Sequence, residues 1–244
     1  MSAPVARLAQ ADLLLLAARL FSPPPADRAL FDVDAETLAA MLGAAGMDPA
    51  PNGAIGRALE AARIADPEAW RAEHTRLFDG SGACPMNETV HIRRDKGAIL
   101  ADVAGFYRAF GWRAVERGEK LDCLVTELEF AAVLLAMLAE AERAGSPERA
   151  EVTLAALRSF FADHLGEWLP LFCERLRETA ALGLFLDAAE ALEAVFGHVA
   201  AEIGVPAPIG PEGAPFLLEE GTPFTCGMAG GEFRPGGRDD IDLV

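Results

Sequence analysis

The stretch LDCLVTELEFAAVLLAML, residues 121–138, decides the fold class. Leu121, Leu124, Val125, Leu128, Leu135 and Leu138 recur at the three- and four-residue steps of one helix face, which predicts a long amphipathic helix. Upstream, Asp95 begins another helix that carries Ile99, Val103, Phe106 and Phe110, with Gly111 placed to end it. Asp66-Pro67-Glu68 is a start signal: an N-cap acid, proline at the first helical position, then a second acid. The helix it opens holds Trp70, Glu73, Leu77 and Phe78 and stops at Asp79-Gly80. Weaker helical patterns cover 34–44 and 53–65, and a first helix spans 5–21, closed by Ser22 and the prolines at 23–25. Downstream, Ser146-Pro147-Glu148 repeats the start signal ahead of Leu154, Leu157 and Phe161. Pro170 predicts a break or kink just before it, and a last helix runs over 184–203. Residues 205–244 lose periodicity and crowd proline with glycine, which predicts an extended or partly disordered tail that Phe216, Leu217 and Phe224 could pin. Nothing alternates like a strand for more than a few residues. The expectation is an all-α domain over 1–204, as one body or two lobes, followed by an irregular tail.

Charge narrows the function. Against 38 acidic residues stand 21 Lys and Arg, a net charge of −17, so the chain lacks the cations that nucleic-acid binding requires. An anionic membrane surface is disfavoured for the same reason. The apolar run LLLLAA at 13–18 lies between Asp12 and Arg19 and is too short to span a bilayer or lead a signal peptide. A cytoplasmic protein without membrane insertion is expected. Cys84, Cys123, Cys173 and Cys226 are far apart in sequence, whereas paired zinc ligands come two to four residues apart, so no metal and no cofactor is expected.

The stretch CPMNETVHI, residues 84–92, concentrates the chemistry that remains, close behind Gly80 and Gly82. It reads as a metal site, an active-site corner or a surface that holds another chain. Cys84 as a nucleophile would need a base that sequence does not place. Glu88, Asp122, Glu127 and Glu129 would serve acid–base chemistry only if buried together. No G-x-S-x-G, phosphate-binding loop, dinucleotide fingerprint or HExxH is present. Arg93-Arg94 is internal and reads as a solvated helix end, not an export signal.

An ordered set of motifs carries a resemblance. Glu73, Leu77 and Phe78 end one helix. The loop Cys84-Pro85-x-x-Glu88-Thr89 follows, then FYRAFGW (106–112), LDCLVTELEF (121–130) and FADHLGEWLPLFCERL (161–176). Over about residues 66–204 this order resembles the TorD/DmsD/NarJ family of cytoplasmic chaperones that mature molybdenum enzymes. The loop looks most like the branch serving dimethylsulfide, ethylbenzene, chlorate and selenate oxidoreductases. The resemblance implies a helical protein without enzymatic turnover, monomeric or a homodimer. Its partners would be an apo-form molybdopterin enzyme subunit and that subunit's twin-arginine signal peptide, held back from export until the cofactor is inserted. It also implies partner contacts at Cys84, Pro85, Glu88, Asp122 and Cys123, the last standing where the family usually has histidine. Leu77, Phe78, Trp112, Glu127, Trp168 and Pro170 take supporting places. A peptide offering guanidinium groups before an apolar run needs carboxylates beside a hydrophobic groove, which Glu88 and Asp122 near helix ends could supply. Glu88 and Thr89 acting only as helix caps is the plainer alternative. A helical adaptor that binds a folded partner, or a small-molecule enzyme using Cys84 or Asp122, also stays open.

Overall fold

Three acids start helices where the sequence places them. Asp34, Asp66 and Asp95 each accept a hydrogen bond from the amide three residues on, at 2.7–2.8 Å, satisfying a donor that the first turn would leave unpaired. The protein was analysed as a computed structural model, which describes residues 2–48, 53–80, 82–112 and 120–206. The first half holds α1 (Ala3–Leu20), α2 (Ala35–Ala45), α3 (Gly53–Ile64), α4 (Pro67–Phe78), α5 (Glu88–His91) and α6 (Lys96–Ala109). The second holds α7 (Leu124–Arg143), α8 (Pro147–Phe160), α9 (Gly166–Thr179) and α10 (Gly183–Ile203). A 3-10 turn lies at Ala29–Phe31 and a π-helical turn at Phe161–Leu165. Among the described residues no strand occurs, only one isolated antiparallel bridge between Asn87 and Cys123.

The long central helix begins at Leu124, because Cys123 has extended backbone (φ −81°, ψ 138°) and leaves Leu121 outside it. Leu124, Leu128, Leu135 and Leu138 are each at most 1% exposed, and burying one leucine contributes about 1.5–3 kcal/mol. With α1 packed along it, α7 is the axis of one continuous hydrophobic core to which α10 adds Leu192, Val195 and Val199. Phe21, Phe78, Phe172 and Phe185 meet at ring distances of 5.2–6.3 Å and join the ends of α1 and α4, the middle of α9 and the start of α10. That aromatic knot is the floor on which the Cys-Pro loop rests.

Of the break or kink expected before Pro170, the break does not occur, for α9 runs through it. Pro170 is the fifth residue of α9 and gives up only its own N–H bond. The irregularity is the π turn immediately upstream, and it closes at Gly166, where an added Cβ would stand 2.5 Å from the Phe161 carbonyl oxygen. Downstream, Gly204 takes a left-handed conformation (φ 76°) and Val205 N–H bonds the Ala200 carbonyl at 2.8 Å, ending α10. Residues 207–244 of the expected tail, with Phe216, Leu217, Phe224 and Cys226, lie outside the described residues.

Candidate functional site

The Cys-Pro loop is folded back against the helix that precedes it. Gly80 reverses the chain at φ 58°, after which Ala83 N–H bonds the Arg76 carbonyl (3.1 Å) and Cys84 N–H the Leu77 carbonyl (2.8 Å). At Gly82 a Cβ would overlap the Leu77 carbonyl, so only glycine allows this approach. Leu77 is fully buried and Phe78 nearly so. On the same helix Glu73 accepts the Ala181 N–H (2.6 Å) at the head of α10, while Arg76 donates to the Thr179 carbonyl (2.6 Å). The motif Glu73-x-x-x-Leu77-Phe78 thus anchors the α9–α10 junction to the helix that launches the loop.

Two sets of hydrogen bonds then tie the loop to the segment before α7. Glu88 N–H bonds the Asp122 carbonyl (3.0 Å) and Leu124 N–H the Met86 carbonyl (2.9 Å). The Asp122 carboxylate has no exposure and accepts from Asn87 Nδ2 (3.2 Å), Thr89 N (3.1 Å) and Thr89 Oγ1 (2.7 Å). α5 is therefore capped from across the bridge by Asp122, not by its own Glu88 or Thr89. His91 closes the loop: its Nε2–H donates to the Pro85 carbonyl (2.7 Å) and its ring stacks on Trp168 at 5.4 Å. Burial lowers the His91 pKa, so the neutral tautomer with Nε2 protonated fits that bond. Cys84 is fully buried with its thiol toward the Phe172 carbonyl (3.7 Å), and burial pushes its pKa up to about 12. A thiol so held is no nucleophile at neutral pH.

Beneath α5 lies a buried polar cluster. Glu88 has no exposure; its Oε2 accepts from His164 Nδ1–H (2.9 Å) and its Oε1 from Arg94 Nη2 (3.2 Å). Arg94 also reaches Glu167 Oε2 (2.9 Å) and the Asp163 carbonyl (3.2 Å). Glu127, likewise buried, accepts from Trp168 Nε1–H at 3.1 Å. Burial, with the charge of neighbouring Glu88 added, raises the Glu127 pKa well above the usual carboxylate range, which favours its protonated form. The Glu127 carboxyl is set against that of Glu88, and His164 Nε2 is buried without a hydrogen-bond partner, although Asp102 Oδ2 stands 3.4 Å from it.

Beside the cluster opens a groove of about 340 Å³. Phe21, Pro23, Phe78, Met86 and Val125 supply its apolar walls, and Asp79, Lys120 and Cys123 carry polar groups to it. His74 lies along it, held through Nε2–H to the Phe21 carbonyl (3.0 Å), with its pKa lowered by burial.

Cys84, Pro85, Glu88, Asp122 and Cys123 thus converge at the junction of the loop with α7. Pro85 and Cys123 are half-buried, while the other three face inward. Glu88 and Asp122 spend their oxygens on donors from this chain, so a partner reaches them only if α5 moves. Glu127 and Trp168 join the cluster from α7 and α9. Trp112 stands apart, edge-on to Tyr107 at 4.6 Å, and half-buried Pro170 holds none of the cluster. Sequence reading missed His164, Asn87 and the anchoring role of Thr89. It also took Arg94 for a solvated helix end, whereas the side chain is paired with two carboxylates. The signal for His164 was its place in FADHLGEW, four residues before Trp168, a spacing that puts both on one helix face.

A perchlorate reductase assembly chaperone protein from Dechloromonas aromatica (strain RCB) is 34% identical over 104 residues, 41% of this chain and 45% of that protein. The chain thus spans less than half the length of that relative. A chlorate reductase assembly chaperone protein from Ideonella dechloratans is 34% identical over 138 residues, 53% of this chain and 70% of that protein. A candidate redox enzyme maturation protein from Archaeoglobus fulgidus superposes with a TM-score of 0.43 at 19% identity, over 75% of this chain and 91% of that one. The family model of the nitrate reductase delta subunit matches residues 33–174, more than half of the chain and the whole of the Cys-Pro loop with its cluster, and the chain belongs to that family.

Proposed function

We propose that this protein is a dedicated assembly chaperone of a molybdopterin oxidoreductase. In this reading it binds the apo catalytic subunit in the cytoplasm, engages that subunit's twin-arginine signal peptide, and delays export until the cofactor is inserted. The observation that carries the reading is the apolar groove formed by Phe21, Phe78, Met86 and Val125 beside an acid-rich cluster. An extended segment bearing cations ahead of an apolar run matches both surfaces at once. The two relatives, each named as an assembly chaperone of a reductase, support the same class of partner. No described helix is long and apolar enough to cross a membrane.

Co-purification with candidate catalytic-subunit precursors, with and without their signal peptides, tests the reading. A complex that forms with the cofactor-free precursor and weakens when the signal peptide is removed is the expected result. Equal capture of the cofactor-loaded enzyme would instead support an adaptor for a folded partner. A Met86→Asp change at the half-buried wall of the groove, checked by a melting curve, should lower capture by about tenfold or more, since it places an unpaired charge in an apolar contact.

A further inference from the structure

Helix α1 keeps an apolar seam that no described element covers. Val5, Leu8 and Leu15 are 46%, 48% and 40% exposed, and with exposed Asp12 and Arg19 they recur at steps of three, four, three and four residues. That alternation lays the five side chains along one line of the helix, the spacing by which two helices pack side by side. On the other side of α1, Leu13, Leu14, Ala17 and Leu20 are at most 3% exposed and belong to the core. Large exposed hydrophobics elsewhere among the described residues come singly: Leu30 in the 3-10 turn, Ile64 on α3, Val90 on α5, Val152 on α8 and Leu186 on α10. Single exposed apolar side chains are ordinary, whereas a line of them along one helix marks a contact surface.

The two charges on the seam say what covers it. Among the described residues, the side chains of Asp12 and Arg19 make no hydrogen bond and no ion pair. Copies of a chain with net charge −17 repel each other over most of their surface, but this seam carries one acid and one base and is locally neutral. Leu15 lies three residues after Asp12 and four before Arg19, so the charges stand about 4.5 Å and 6 Å along the axis on either side of it. Two copies of α1 laid side by side in the same direction would set acid against acid and base against base. Laid in opposite directions about a two-fold axis at Leu15, they set Asp12 of each copy against Arg19 of the other and leucine against leucine. Leu8 then lies toward Pro23 of the second copy, which is exposed just past the end of α1. A two-fold contact needs a self-complementary surface, and the seam meets that condition in the antiparallel arrangement.

We propose that the seam of α1 is the contact between two copies of this chain, crossing antiparallel at Leu15 with an Asp12–Arg19 pair on each side. One helix face is small beside the roughly 800 Å² that each partner gives to a standard interface, so the association is reversible and follows concentration. It does not depend on which client the protein serves.

Sedimentation velocity of the full chain tests this from about 1 to 200 µM, the range in which a contact smaller than a standard interface associates. The weight-average mass should rise toward that of two chains. Asp12→Arg and Arg19→Asp each put two like-charge pairs into the contact, and each should weaken association about tenfold or more. Combining both changes in one chain restores opposite charges and should recover wild-type association. An equimolar mixture of the two single variants should associate where neither does alone, because one copy then offers two bases along the seam and the other two acids. Melting curves accompany every variant. Should an exchange lower the melt, Leu15→Lys takes its place and should abolish association by setting two ammonium groups at the axis. A wild-type chain that stays single at every concentration overturns the inference and leaves the seam to a different protein. Association that survives the single exchanges, or a mixture no heavier than its components, overturns it as well.

Discussion

At the scale of single residues, buried carboxyl groups decide what the loop tolerates. Asp122 is fully buried and accepts three hydrogen bonds from Asn87 and Thr89. Asp122→Asn turns an amide toward those donors, and hydrogen bonds to charged groups are worth about 1.5–3 kcal/mol, so stability should fall by that order. For a chain of this size each kcal/mol corresponds to about 2–4 °C in Tm, which a thermal melt resolves. The change should thus act on stability first. Glu127→Gln should behave in the opposite way. Glu127 is raised by burial and by Glu88, so the folded chain holds a proton that the unfolded chain releases above its ordinary value of 4.5. Wild-type stability therefore declines as pH rises from about 4.5 toward the raised folded value, because the native state binds more protons. Glutamine keeps a neutral acceptor for Trp168 and removes that slope. Melts from pH 5 to 8 should show the variant gaining on wild type as pH increases; parallel curves would mean that Glu127 is ionised in the fold. Cys84 gives a third readout at this scale. With its thiol near pKa 12 and no exposure, it should resist iodoacetamide at pH 8 while half-buried Cys123 is alkylated, as mass spectrometry of the native protein would show.

At the scale of elements, the parts written in local chemistry were legible and the parts written in contacts were not. Asp34, Asp66 and Asp95 announce their helices because an N-cap acid acts on an amide three residues away. The leucine stripe of α7 is visible for a similar reason, since one face recurs within a few residues. The loop's meaning could not be read this way. Glu88 meets His164 across 76 positions, and Asp122 caps a helix that begins 34 positions earlier. No spacing rule links such residues. The π turn was hidden too: Pro170 drew attention to itself, while the irregularity sat upstream at Phe161–Leu165. Gly82 shows how closely the loop depends on its launching helix. A methyl group there meets the Leu77 carbonyl, which is backbone and cannot rotate away. Gly82→Ala should therefore cost about 1–3 kcal/mol, as overpacking generally does, and should raise the exchange rates of the amides of Ala83 and Cys84. Hydrogen exchange read by mass spectrometry checks this, and unchanged protection across 83–92 would show that the loop is held by α7 alone.

At the scale of the whole molecule, the described residues suffice for a core. The buried cluster runs from α1 to Ile203, with Val205 packed against it, and Gly204 and Val205 complete the end of α10. Helix α10 is indispensable to that core: Phe185 joins the aromatic knot with Phe78, Leu192 and Val199 are fully buried, and Arg158 Nε donates to the Ile203 carbonyl at 2.5 Å. The sequence from 207 onward carries no helical periodicity and is dense in proline and glycine, with acids near its end. A chain stopped after Pro206 should keep its far-ultraviolet helical signal and a single cooperative transition, with Tm within a few degrees of full length, since a stretch without helical periodicity and dense in proline and glycine offers little to a helical core. A chain stopped before Gly183 should lose that transition, because deleting several fully buried aliphatic and aromatic side chains at about 2–5 kcal/mol each exceeds the stability of an ordinary domain. Client capture by the shortened but folded chain, set beside capture by the full one, separates the roles of the two regions. If the chain ending at Pro206 melts normally and still captures the precursor, the groove and the cluster under α5 are sufficient for binding. If it melts normally and captures nothing, residues 207–244 contribute directly to holding the client.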